Sequence, residues 1–188
     1  MNVKRLFSEF LMTFYSPIKL YRQIAEQGRS DSWFFVLLYG LFYVFGSLWL
    51  YFNGYTPFIE PWIKIPEEKY YLVQSFYIIP LVFFSWIAAT GIIHVLSRFF
   101  NDRRSFDVLL SMTGYSLWVP WYPLIIVDCI HVTPEWLYNL VLLFCIIMIL
   151  VNTSVAVKVE KKLNYTRAAF LAAIAFVSIG LVLFTFIR

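Results

Sequence analysis

The chain has 188 residues, of which 61% are hydrophobic and only 14% charged, and its formal net charge is +4. A soluble domain carries about 25% charged residues, so this composition excludes an ordinary water-soluble globule. The basic residues sit in short loops rather than along one folded face, which argues against a nucleic-acid partner.

Residues 3–14 show helical periodicity. Val3, Leu6, Phe7, Phe10, Leu11 and Phe14 share a face, with Lys4, Arg5, Ser8 and Glu9 mostly opposite. The pattern predicts an amphipathic helix on the membrane surface, with Phe7 and Phe10 in lipid and Lys4 and Arg5 at phosphates. Packing of this helix on the membrane-side helices is the alternative, and the two are compatible. Ser16 followed by Pro17 starts a second short helix, which runs to about Gln27 and stops at Gly28. Residues 1–30 are thus expected to form a cytoplasmic interfacial segment, without the apolar core and small-residue cleavage site of a signal peptide.

Five apolar stretches follow, at 33–52, 71–97, 106–127, 137–157 and 168–187. A spanning helix needs roughly 20 apolar residues. The expected fold class is therefore all-α, a polytopic membrane bundle of five transmembrane helices over residues 31–188. Aromatics make up 21% of the chain, and Trp33, Trp49, Trp62, Tyr70 and Trp136 stand near the ends of the stretches as an interfacial belt. Ser30 or Asp31 is expected to cap the first span, Ser105 the third, and Thr133–Pro134 and Thr166 to start the fourth and fifth.

The charges sort between alternate loops. Of the 15 basic residues, all but Lys64, Lys69 and Arg188 lie before the first span, between spans two and three, or between spans four and five. The positive-inside rule then places the N-terminus in the cytoplasm and the C-terminus outside. Pro61 and Trp62 predict a small interfacial structure in the first outer loop. Pro80 should kink or break the second span, whose later half carries the small residues Ala88, Ala89, Thr90 and Gly91. Ala168, Ala169, Ala172 and Ala173 offer a second close-packing face in span five. Cys129 and Cys145 lie at different depths and give no disulfide framework.

Span three reads FDVLLSMTGYSLWVPWYPLIIVD. Pro120 and Pro123 free backbone carbonyls at lipid depth, which neighbouring helices, side chains or water must satisfy. Such a break either bends a helix round its neighbours or builds a binding site. Gly114 and Tyr115 followed by Pro120, with His94, Arg98 and Ser105 in the preceding basic turn, resemble the Yip1 domain family from about Ser16 onwards. The resemblance implies five spans after a cytoplasmic N-terminal segment. Eukaryotic members, associated with Rab GTPases, vesicle budding and the Golgi, carry a longer acidic N-terminal region with an aspartate-leucine-tyrosine-glycine-proline motif. That motif is absent here. The resemblance therefore implies a short prokaryotic-type member in a prokaryotic cell membrane, with an ER or Golgi membrane as the eukaryotic alternative.

Ionisable groups within spans are functional candidates. His94, Asp107, Tyr115, Thr90 and Asn152 form the candidate polar site. A headgroup contact for His94 and a helix-dipole role for Asp107 are the plainer alternatives. Asn152, Thr153 and Ser154 are equally suited to interhelical hydrogen bonding. Asp128, His131 and Glu135 make a poor metal set, since zinc wants three or four ligands in tight geometry. Glu67 and Glu68 lack companion histidines for protease chemistry. Without a phosphate-cradling loop, nucleophile elbow or redox pair, no enzyme and no cofactor are expected. Two functions stand: an organiser or scaffold of the bilayer and of partner membrane proteins, or an oligomeric transporter or channel for a small solute, ion or lipid. A homo-oligomer is a possible partner state in either.

Overall fold

A computed structural model describes residues 3–28, 31–56, 65–100, 105–129 and 134–186. Every regular element among them is helical: α1 (Val3–Tyr15), α2 (Pro17–Gln27), α3 (Trp33–Phe52), α4 (Tyr70–Ser97), α5 (Phe106–Trp118), α6 (Tyr122–Cys129), α7 (Glu135–Lys161) and α8 (Tyr165–Phe186), with short 3-10 turns at Glu67–Lys69, Arg98–Phe100 and Val119–Trp121. Among the described residues, three helices are long and apolar enough to cross a membrane, Trp33–Phe52, Glu67–Phe100 and Trp136–Lys161, and Tyr165–Gly180 is a shorter apolar helix.

Local chemistry sets many boundaries. Pro17 opens α2 at a position whose N–H has no helical acceptor, and Gly28 closes it at φ 78°. Ser105 caps α5, its hydroxyl accepting from the Asp107 N–H at 3.2 Å. The first span is headed by Ser32 rather than Asp31, and Ser32 makes no side-chain cap bond. Helix α8 starts at Tyr165, one residue before Thr166, and Asn164 caps it, its side-chain oxygen accepting from the Arg167 N–H at 3.0 Å. Ser30, Pro61, Trp62, His131 and Thr133 lie outside the described residues.

The prolines act differently from one another. Pro120 sits in the 3-10 turn and Pro123 in the first turn of α6, so the third apolar segment is divided as expected. Pro80 does not break its helix, because α4 runs unbroken from Tyr70 to Ser97. Its ring lies on the exposed side, as does Phe76 four residues earlier. The lost hydrogen bond therefore falls on the outer face of α4.

In the packing, α4 is central, contacting α3, α5 and α8, while α7 contacts α2, α5, α6 and α8. Gly40 lets α3 approach α4 closely: a Cβ there would stand 3.2 Å from Ile79 Cγ1. Further along the pair, Ser47 donates to Gln74 at 2.9 Å. Ala89 of α4 and Ala168, Ala172 and Ala175 of α8 are buried within this one chain. The small-residue faces thus serve intramolecular packing, although Ala169 and Ala173 stay exposed.

The outer surface is oily. Phe45, Phe76, Phe84, Leu143, Ile147 and Phe170 are all half or more exposed. A monomeric soluble protein rarely shows so large an apolar face, whereas lipid tails make it costless. At 20 residues, α3 is about 30 Å long, the thickness of a hydrocarbon core.

Candidate functional site

The site grows from α5. From Ser111 to Pro120 every residue is buried, so no face of this stretch meets lipid. Gly114 sits where three helices converge: a Cβ on it would stand 2.6 Å from Ser32 Cβ and 3.2 Å from the Trp86 ring. Ser32, Gly114 and Trp86 therefore share one level, at the end of the bundle where α3 begins.

Tyr115 is fully buried one residue later. Its ring packs against Phe35 at 5.3 Å, and its hydroxyl donates to the Glu9 carboxylate of α1. Glu9 is only 7% exposed. Its other carboxylate oxygen accepts from Arg5 Nε at 2.7 Å, and Arg5 Nη2 donates to Gln27 of α2 at 2.6 Å. The bond to Glu9 holds the Arg5 guanidinium pKa above its ordinary value. A buried carboxylate is costly unless it is paired and hydrogen-bonded, and this one is both. Phe10 completes the dock, with its ring 5.8 Å from Phe35 and 5.7 Å from Tyr122.

This docking corrects the expected faces of α1. Glu9, placed on the polar side by periodicity, points into the bundle with Leu6, Met12 and Thr13. Phe10 packs inward and Arg5 is engaged by Glu9 and Gln27, while Lys4 is exposed. Val3, Phe7, Leu11 and Tyr15, spaced four residues apart, form an outward strip that is 72%, 64%, 40% and 69% exposed. The helix has two faces with apolar content, and the docked one is the face where Glu9 finds its two donors.

The other candidate polar residues are buried at separate contacts. Thr90 pairs with Thr113 at 2.6 Å, and Trp86 Nε1 donates to the same Thr113 oxygen at 3.1 Å. Asn152 accepts from the Tyr21 hydroxyl of α2 at 3.4 Å and donates to the Met148 carbonyl at 2.8 Å. Burial raises the Tyr21 phenol pKa, favouring the protonated donor. Thr153 donates to Ser116 at 3.1 Å. His94 lies farther along α4, with Lys161 Nζ 3.2 Å from its Nδ1 and Arg98 Nη2 3.4 Å from its Nε2. Phe106 meets the His94 ring edge-on at 5.5 Å, and the neighbouring Asp107 is exposed. The structure therefore brings Tyr115 to Glu9, Thr90 to Thr113 and Asn152 to Tyr21, but does not bring the five together.

Glu9, Ser32, Thr113 and Lys161 are site residues that sequence reasoning did not select. Only Glu9 left a trace, its four-residue spacing from Arg5. Thr113→Val is expected to cost about 0.5–1.5 kcal/mol, because the Thr90 hydroxyl and the Trp86 N–H lose a shared buried partner while keeping the Trp86 and Leu110 carbonyls. Thr113→Ser should retain most of the stability. Thermal melting of the two variants in detergent checks this.

These features define an all-α integral membrane protein whose N-terminal helices are docked on its apolar bundle. The Yip1 domain profile matches residues 12–187, and the chain belongs to the Yip1 domain family. No curated protein and no solved structure matches it.

Proposed function

We propose that the protein is a non-enzymatic organiser of the bilayer and its membrane partners, acting through α1 at the membrane surface. One observation carries this reading. The Glu9–Tyr115 bond docks α1 at the level where α3 begins, and the opposite side of α1 presents the strip of Val3, Phe7, Leu11 and Tyr15. An apolar helix face at the hydrocarbon boundary, flanked by exposed Lys4, Lys19 and Arg22, is the form that enters the acyl–headgroup zone. All five apolar segments cross the membrane, with the N-terminus cytoplasmic and the C-terminus outside, as the loop charges support. The setting is a prokaryotic cell membrane.

Transport through the bundle finds less support. Transporter sites lie near the bilayer midplane, whereas Tyr115, Thr90 and Asn152 are taken up in side-chain packing and Tyr115 stands beside the α3 end.

Reconstitution of the purified full chain into liposomes tests both. Vesicle remodelling, with no solute flux or lipid scrambling, is the expected result. Phe7→Ser with Leu11→Ser should abolish remodelling and leave the melting temperature within a few degrees of wild type, since both side chains are exposed. Flux that disappears in His94→Ala or Tyr115→Phe would instead establish a transporter.

A further inference from the structure

We propose that the ends of α4, α7 and α8 beyond the hydrocarbon form a binding site for the phosphate of an anionic lipid headgroup. Trp86 shares the level of Ser32 at the start of α3. His94 is eight residues further along α4, a rise of about 12 Å, which takes it out of a hydrocarbon core the length of α3 and to the headgroup layer.

Two cationic side chains meet on His94 there, and two more stand on the neighbouring ends of α7 and α8. Lys161, only 3% exposed at the end of α7, holds its Nζ 3.2 Å from His94 Nδ1. Arg98 approaches the other ring nitrogen at 3.4 Å. Lys158, one turn before Lys161, lies 3.3 Å from the centre of the Tyr165 ring. Arg167 of α8 lies 5.1 Å from that of Phe100. Both cations are steered by aromatic faces. The described carboxylates of α4, α5, α7 and α8 at this end are Glu160, buried beside Lys161, and the exposed Asp107. Cations therefore exceed carboxylates, and they include a guanidinium fork and an ammonium, the two groups best matched to phosphate oxygens. Helix-end dipoles favour a cation in each last turn of α4 and α7. They do not account for the meeting of an ammonium and a guanidinium on one imidazole.

A lipid headgroup and free phosphate share this chemistry, and calorimetric titration of the detergent-solubilised full chain separates them. The probes are dihexanoyl phosphatidic acid, dihexanoyl phosphatidylcholine and inorganic phosphate. Phosphatidic acid is expected to bind at least tenfold tighter than phosphatidylcholine. Arg98→Gln, a change at an exposed side chain that leaves the fold intact, should weaken it about tenfold, the worth of a charge-assisted hydrogen bond. Lys158→Gln should weaken it too, and Lys19→Gln with Arg22→Gln on α2 should not. Inorganic phosphate binding as tightly as phosphatidic acid assigns the site to free phosphate, and weaker binding assigns it to lipid. Equal affinity for phosphatidic acid and phosphatidylcholine, or unchanged phosphatidic acid binding in Arg98→Gln and Lys158→Gln, overturns the proposal.

Discussion

Gly114→Ala is expected to be among the most damaging single-methyl changes available in this chain. The added Cβ would stand 2.6 Å from Ser32 Cβ and 2.5 Å from its Oγ. A serine Cβ cannot swing aside, so the start of α3 or the body of α5 has to shift. Overpacking of this kind costs about 1–3 kcal/mol, and Gly114→Val should exceed that. The specific check is rescue. Ser32→Gly removes both clashing atoms, so Gly114→Ala with Ser32→Gly should recover most of the melting temperature in detergent that Gly114→Ala loses. Recovery in the pair, against loss in the single variant, identifies the contact rather than helix propensity as the cause, because a helical glycine replaced by alanine gains propensity.

Tyr115→Phe is the second large effect. The ring stays the same size, so the Phe35 contact survives, but the buried Glu9 carboxylate loses a donor. Leaving such a group under-satisfied costs about 1–3 kcal/mol. The loss should fall on α1, and hydrogen exchange across Val3–Tyr15 should quicken by at least tenfold while exchange in α7 changes little. Arg5→Ala should loosen the same helix, and the two substitutions together should be non-additive, because both partners act on one carboxylate. Additive effects would mean that Arg5 and Tyr115 hold α1 independently.

What could be read from the sequence is what a few neighbouring residues decide. Pro17 and Gly28 bracket α2 because a first-turn proline and a left-handed glycine are local properties, whereas the Ser16 side chain makes no cap bond. The first apolar stretch coincides with α3, and Pro120 and Pro123 divide the third segment where the missing N–H groups fall. The same local logic expects a kink or break at Pro80, but α4 continues through it without a break. The site was partly visible: the Gly114–Tyr115 pair was singled out, but not its partners. Lys161 meets His94 across 67 positions, and such a contact depends on the register between helices that no periodicity encodes. Glu9 shows the limit most clearly. Helical spacing sorts residues into two sides, yet the docked side is chosen by a tyrosine that touches α1 in space but is separated from it by three α-helices along the chain.

The Glu9–Tyr115 bond joins residues 106 positions apart. Ribosomes add about 5–20 residues per second, so the carboxylate leaves the exit tunnel roughly 5–20 s ahead of the phenol that receives it. Throughout that interval α1 has no α5 to dock on. Synthesis of α5 is the event that ends this wait, which makes the docked form a late product of biogenesis, completed only after the chain has been extended past its middle.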